Sequence, residues 1–112
     1  MKYVLLICDD ERVSSTTEEL AADPAYQAYE AGLKRLGGAV LGGARLRPVA
    51  DATTVRVRDG ETLVSDGPFA ETKDFVGGID IIECADLDEA IAIAAGHPYA
   101  GWGCVEVHPV WE

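Results

Sequence analysis

The pattern of hydrophobic and polar positions along the chain predicts four core strands. The segment from Lys2 to Cys8 is an almost continuous run of apolar, β-forming residues, which favours a central strand buried on both faces. A polar loop is predicted over residues 9–17. The same reasoning predicts three further strands, of which the first has a bulge at Gly42-Gly43: Ala39 to Leu46, Ile79 to Cys84, and Gly103 to Val110.

The first helical pattern follows Asp23 and Pro24, which are typical of the N-cap and the first turn of a helix. Apolar residues then recur at helical spacing until Gly37-Gly38, so they share one face: Tyr26, Tyr29, Leu33 and Leu36. Aromatic residues at this spacing usually pack in a core. The other interpretation is that the two tyrosines line a pocket.

The second helical pattern begins after Asp86, with Glu89 placed to complete a capping box. It ends near Gly96 and Pro98, and His97 in this last turn is interpreted as a capping or surface histidine. The helix is predicted to turn one apolar stripe toward the sheet: Leu87, Ala90, Ile91 and Ala94.

A hairpin is predicted between the second and third core strands. Thr53 to Arg58 alternates between two faces, of which one is expected to be wet; Asp59-Gly60 is a strong turn signal, and Glu61 to Ser65 is the return strand. The stretch from Ser65 to Asp74 then combines turn residues, an aromatic ring and alternating charges without helical or strand periodicity. Its Asp66 either presents a carboxylate for function at a sharp bend or hydrogen-bonds the amides of its own turn.

The order of these elements predicts a single α+β domain over residues 1–112. Short connections fold such a chain into the ferredoxin-like βαββαβ arrangement with an inserted hairpin, an antiparallel sheet with both helices on one face. Because 48% of the residues are hydrophobic, the uncovered sheet face predicts a homodimer that packs the two open faces together. If Val105 and Val107 face the helices, Glu106 and His108 point into the space between the sheets.

Composition and charge exclude several classes of binding partner. With 20 acidic and 9 basic residues the net charge is −11, which would repel phosphate backbones, so no nucleic-acid binding is expected. No apolar stretch approaches the ~20 residues of a membrane span, so no membrane association is expected and a cytoplasmic location is the default. The spacing of histidines and cysteines is not that of a metal site, and no metal or cofactor is expected. The cysteines are predicted to be reduced thiols: Cys8, Cys84 and Cys104.

The residues from Asp66 to Lys73, Asp-Gly-Pro-Phe-Ala-Glu-Thr-Lys, resemble the signature of the YCII-related proteins of the DGPF type. Two positions depart from that pattern, since His108 stands where it usually has arginine and Asp74 where it usually has glutamate. The resemblance implies a ferredoxin-like fold and a dimeric α/β barrel. It extends to several flanking segments: Met1 to Ile7, Gly77-Gly78-Ile79, Asp86 to Ala90, Val105-Glu106-Val107 and Pro109-Val110.

The resemblance also implies a relation to small lyases and isomerases of ring-cleavage acids or lactones, with an aspartate and a histidine in the pocket. Asp66 matches the aspartate of the motif. The first functional hypothesis is therefore a cofactor-independent lyase or isomerase in which Asp66 or His108, assisted by Glu106, moves a proton of a small organic acid. The predicted substrate-binding residues complete this site: Arg45, Arg47, Phe69, Glu71, Lys73 and Glu83.

The second functional hypothesis is a non-catalytic module, either a dimeric small-molecule binder or an interaction partner in a transcription or stress pathway. In that case Asp66, Glu71 and Lys73 form a structural clasp, because carboxylates readily satisfy the backbone amides of a loop. A cavity that contains Asp66 together with Glu106 or His108 distinguishes the first hypothesis from the second.

Overall fold

One antiparallel sheet, a separate hairpin and a layer of helices make up the described part of the chain, which is residues 1–9, 17–67 and 75–112 of a computed structural model. Two short helices, Thr17–Ala22 and Tyr99–Trp102, go beyond the sequence-based prediction, because six and four residues are too few to display a helical period. The elements in chain order are β1 (Lys2–Asp9), α1 (Thr17–Ala22), α2 (Pro24–Arg35), β2 (Ala39–Arg45), a 3₁₀ turn (Val49–Asp51), β3 (Thr53–Arg58), β4 (Glu61–Asp66), β5 (Phe75–Glu83), α3 (Leu87–Ala95), α4 (Tyr99–Trp102) and β6 (Cys104–Pro109).

The main sheet has four strands in the order β2-β5-β1-β6, and every neighbouring pair is antiparallel. The first strand of the chain is thus central, as its continuous apolar run predicts. The ladder between β2 and β5 has an irregularity between Val40 and Gly42, just before the predicted bulge at Gly42-Gly43. This α+β architecture is compatible with the predicted ferredoxin-like arrangement.

Both long helices start where the sequence predicts. The Asp23 carboxylate accepts a hydrogen bond from the amide of Ala25 at 2.8 Å, and Pro24 opens α2. The Asp86 carboxylate accepts one from the amide of Glu89 at 2.9 Å, which confirms the predicted cap of α3. None of the helices in the described ranges is long and apolar enough to cross a membrane.

The core lies between one face of the sheet and the helices α2 and α3. Val105 and Val107 of β6 pack against it, so the expectation that these valines face the helices is confirmed. A fully buried side chain such as Leu5 stabilises this layer by about 2 kcal/mol. The buried cluster comes from the centre of the sheet and from one face of each helix: Tyr3, Leu5, Tyr29, Leu33, Ile82, Cys84, Ala90, Ile93 and Ala94.

The predicted apolar stripe of α3 is confirmed at Ala90 and Ala94 and is wrong at Leu87 and Ile91. Ile93 is buried with Ala90 and Ala94, whereas Leu87 and Ile91 remain 50% and 51% exposed. Because α3 is apolar at most positions after its first turn, its sequence pattern does not determine which face meets the sheet. The packing partners on the sheet decide it.

The hairpin of β3 and β4 forms its own two-stranded sheet. Asp59 and Gly60 both have positive φ, of 52° and 78°, as the predicted tight turn requires. One face of the hairpin was expected to be exposed to solvent, and the exposed face includes the apolar side, with relative exposures of 60%, 59% and 65% for Val55, Val57 and Val64. The radius of gyration is 15.7 Å. A compact chain of this size has a radius of gyration of about 13 Å, so this chain is more extended than a compact domain.

Candidate functional site

The sheet face opposite the helices carries an apolar centre with a polar pair beside it. Val4 of β1 lies between Ile81 and His108 on the neighbouring strands, and Leu6 lies between Ile79 and Glu106. His108 Nε2 is 2.9 Å from Glu106 Oε1, and about half of each side chain is exposed, 53% and 55% respectively. The predicted pairing of these two side chains is therefore present on the open face.

The other predicted site residues do not gather around this pair. Asp66 ends β4, where it is exposed and paired with Thr53 in the separate hairpin. Arg47 forms an exposed ion pair with Asp51 at 3.0 Å. The Glu83 carboxylate binds the terminal ammonium of Met1 at 3.1 Å and thereby raises the pKa of that ammonium.

Three of the predicted substrate-binding residues lie outside the described ranges, namely Phe69, Glu71 and Lys73. The choice between a site and a structural clasp for the DGPF-type stretch therefore stays a prediction. Of that stretch the structure describes Asp66 and Gly67. The Gly67 amide donates to Ala52 O at 2.7 Å, and the Thr54 hydroxyl donates to Gly67 O at 2.7 Å, so the end of β4 is held to the start of β3.

A second polar cluster lies on the helix face of the sheet, around His97. Its imidazole is surrounded by the rings of Tyr26 and Tyr29 on α2 and of Tyr99 on α4, with centroid distances of 5.4, 4.6 and 5.6 Å. Only 3% of His97 is exposed, so its interpretation as a surface histidine is wrong. The chain continues from Pro98 into α4, which packs against β1 and β6 and encloses the ring.

Asp80 extends this cluster to the sheet. The Tyr29 hydroxyl donates a hydrogen bond to Asp80 Oδ2 at 3.2 Å. Burial raises the pKa of the Asp80 carboxyl, and the bond from Tyr29 partly opposes that shift. Burial is also the main cause of the raised pKa of Tyr29, with the charge of Asp80 second.

Arg45 belongs to this helix face rather than to the open face. It is paired with Gly78, which is paired with Ile7, and Ile7 packs against Tyr99 below the helices. The positive charge of Arg45 and the negative charge of Asp80 act in opposite directions on the Tyr26 pKa, which burial raises. The predicted substrate-binding arginine is thus brought together with Asp80 and Tyr26.

Gly43 provides the space that Asp80 occupies. The two residues are directly paired between β2 and β5, and a Cβ atom at position 43 would collide with Asp80 Oδ1 and with Ile79 O. Beside the cluster, a groove of about 190 Å³ runs between α2 and α3, with Tyr29 and Gly96 in its wall. The site therefore depends on the absence of a side chain in one strand and on the packing of two helices.

Sequence reasoning did not find this cluster, although it contained one usable signal. Asp80 shares a face with Ile82 and Cys84 in a strand predicted for the core, and a carboxylate at such a position requires a partner. The tyrosines at helical spacing were interpreted as core residues or as a pocket wall, and the histidine after α3 as a capping or surface residue, so neither pattern linked them to Asp80. Only the packing of α2 against α3 and α4 brings them together.

The antiparallel sheet with helices on one face defines an α+β protein compatible with the ferredoxin-like class. Within that class, the family model of the YCII-related domain matches residues 1–112. The chain is also 37% identical to the uncharacterized protein R00369 of Rhizobium meliloti (strain 1021), over 98% of this chain and 92% of that protein. The chain therefore belongs to the YCII-related family, as its motif predicts. Neither the family description nor the relative's name assigns a reaction.

Proposed function

We propose that the protein is a cytoplasmic homodimer that binds a small organic acid between two open sheet faces, with Glu106 and His108 as its acid-base pair. The observation that carries this proposal is the hydrogen-bonded pair at 2.9 Å beside an apolar strip on a face that α2, α3 and α4 leave uncovered. An uncovered apolar sheet face favours association with a second copy, because burial of apolar area is the main driving force of such contacts.

The chemistry follows from the pair and from closure of the dimer. His108 takes a proton from a carbon atom of the bound acid and returns it to another atom of the same molecule, while Glu106 orients the imidazole and stabilises its protonated form. Packing two faces together removes water, which strengthens both interactions relative to the exposed pair of a single subunit. This is the class of step that a cofactor-independent lyase or isomerase needs. Asp66 is not placed beside the pair by any described hydrogen bond, so its proposed catalytic role rests on the family motif alone.

The dimer is tested by light scattering on a matched pair of lysine variants. The wild type is expected at twice the 11.9 kDa of one chain. Ile81→Lys puts a charge on the open face and is expected to give the monomer, while Val55→Lys puts the same charge on the hairpin and is expected to leave the dimer intact. Dimers of both variants would contradict an interface at the open face.

The ligand is tested by thermal shift with acetate, pyruvate and muconate added to the wild type and to Glu106→Gln. Binding is expected to raise the melting temperature of the wild type more than that of the variant. Equal shifts in both proteins, or none in either, would contradict a site at Glu106.

A non-catalytic interaction module is the second candidate function, and the exposed hairpin favours it. Val55, Val57 and Val64 present one apolar side of β3 and β4 to solvent. The lysine variants also distinguish this candidate. If Val55→Lys gives the monomer and Ile81→Lys does not, the hairpin is the contact surface.

A further inference from the structure

Two of the three cysteines lie directly opposite each other in the main sheet. Cys8 of β1 is paired with Cys104, the first residue of β6, and they form the last pair of that ladder. Because Val105 and Val107 face the helices, Cys104 points to the open face, and its directly paired residue points to the same side. The two thiols therefore share one face of the sheet.

Strand geometry brings this pair within reach of a disulfide bond. Directly opposite residues of antiparallel strands have Cα atoms about 4.5–5.5 Å apart, whichever hydrogen-bonding position they occupy. A disulfide joins residues whose Cα atoms are roughly 4.4–6.8 Å apart. Both cysteines are reduced in the structure, and the Cys8 thiol donates a hydrogen bond to Leu6 O at 3.6 Å. Bond formation therefore requires a change of the Cys8 rotamer and little movement of the backbone.

The three thiols of the chain differ in their access to solvent. Cys104 is partly exposed, whereas Cys8 is only 3% exposed. Cys84 belongs to the core on the helix face, and burial raises the pKa of its thiol, which lowers the fraction of reactive thiolate. A small oxidant in water therefore meets Cys104 first, and the thiol best placed to react next is Cys8.

We propose that Cys104 and Cys8 are a peroxide-sensitive modification site, at which oxidation joins the start of β6 to β1 by a disulfide bond. The Cys104 thiolate attacks one oxygen of hydrogen peroxide, the O–O bond breaks, and the departing hydroxide takes up a proton, which leaves a sulfenic acid and water. The Cys8 thiolate then attacks the Cys104 sulfur, the S–O bond breaks, and the second hydroxide leaves and is protonated to water. Two thiols thus lose two electrons and two protons, and one peroxide becomes two waters.

The bond connects this site to the open face. Glu106 lies two residues after Cys104 on the same side of β6, and His108 follows two residues later. The disulfide would fix the edge strand that carries this polar pair to the central strand of the sheet. The proposal does not depend on the chemistry of Glu106 and His108, because it rests on the pairing of the two cysteines within one subunit.

The direct test is mass spectrometry of the peroxide-treated wild type without reductant. The protein is expected to lose about 2 Da, the mass of two hydrogen atoms, and its thiol content is expected to fall from three to one. Chymotrypsin cleaves after Tyr99 and Trp102 and so separates Cys84 from Cys104. A cross-linked peptide pair with Cys8 and Cys104 is expected, and dithiothreitol is expected to restore both thiols. The same bond is expected in Ile81→Lys, where no second subunit covers the open face.

Matched serine variants test the order of the two steps. Cys8→Ser is expected to stop at the sulfenic acid of Cys104, which dimedone traps. Cys104→Ser is expected to leave Cys8 as a thiol, because Cys8 is buried. Cys84→Ser is the control and is expected to form the disulfide as the wild type does.

Three results overturn the proposal. The first is the absence of the cross-linked pair from both the wild type and Ile81→Lys in excess peroxide. The second is a disulfide that contains Cys84 in place of Cys8 or Cys104. The third is equal loss of Cys8 thiol in the wild type and in a folded Cys104→Ser. Peptide mapping of the wild type decides the matter if a serine variant does not fold.

Discussion

The two faces of the central sheet differ in how far their ionisable side chains are exposed to solvent. On the open face, Glu106 and His108 form the shorter contact, 2.9 Å, with about half of each side chain in water. On the helix face, the bond from Tyr29 to Asp80 is longer, 3.2 Å, yet burial raises the pKa of Asp80 and lowers that of His97. Burial is thus the main cause of the pKa shifts of Asp80 and His97 on the helix face.

This difference bears on how each face is used. An exposed ion pair contributes about 0.2–1 kcal/mol to stability, so the open-face pair gains importance only if a second subunit covers it. The helix face already encloses its polar groups, and removal of the Tyr29 hydroxyl takes away the hydrogen bond that the Asp80 carboxylate accepts. Mutations on the helix face should therefore have the larger effects on an isolated subunit.

The largest expected effect is the pH dependence that His97 gives to stability. The pKa of His97 is about 4 in the folded protein, compared with an ordinary value of 6.5. Between these two pH values the histidine is therefore protonated in the unfolded chain and neutral in the folded protein. Stability therefore falls as pH drops from 6.5 to 4, by roughly 3 kcal/mol in total. The raised pKa of Asp80 acts in the opposite sense, since folding then favours its protonated form.

Urea denaturation of the wild type and of His97→Gln across this range isolates the histidine, because the contribution of Asp80 is present in both proteins. The difference between their free energies of unfolding should shrink as the pH is lowered. A constant difference would show that His97 titrates normally and that the two faces are alike in this respect.

Gly43→Ala should destabilise the protein by about 2 kcal/mol, because its Cβ has no room against Asp80 and the carbonyl of Ile79. Gly42→Ala is the matched control on the same strand, where a Cβ meets nothing within 4 Å. Chemical denaturation of the two variants measures the effect. Equal stability of the two variants would contradict the close packing on the helix face.

Tyr29→Phe should cost about 1 kcal/mol, because it removes one hydrogen bond to a partly buried carboxylate. It should also raise the pKa of Asp80 further, since the bond from Tyr29 is the interaction that lowers it. The pKa is measured by ¹³C NMR of the carboxyl carbon. An unchanged Asp80 pKa would mean that this bond does not form in solution.

Glu106→Gln should change the stability of a single subunit by less than about 1 kcal/mol, because the ion pair is exposed. The measurement uses the monomer produced by Ile81→Lys, with and without the substitution. A larger loss of unfolding free energy would show that the exposed pair on the open face stabilises the subunit as much as the buried hydrogen bond on the helix face does.

Much of the fold could be predicted from local patterns, because those patterns are set by neighbours in sequence. The caps at Asp23 and Asp86 and the turn at Asp59-Gly60 depend on a few adjacent residues. The apolar stripe of α3 could not be predicted, because its sequence allows two faces to be buried. The open-face pair was predictable because residues two apart on a strand share a side.

The sequence by itself determined the strands, the long helices, the family and the adjacency of Glu106 and His108. Only the tertiary structure decided that His97 is buried and that Arg45 joins Asp80 and Tyr26. The physical reason is that these contacts link α2, the segment after α3, and two strands far apart in sequence. Desolvation and steric room arise when those elements pack, and no local pattern of residues encodes them.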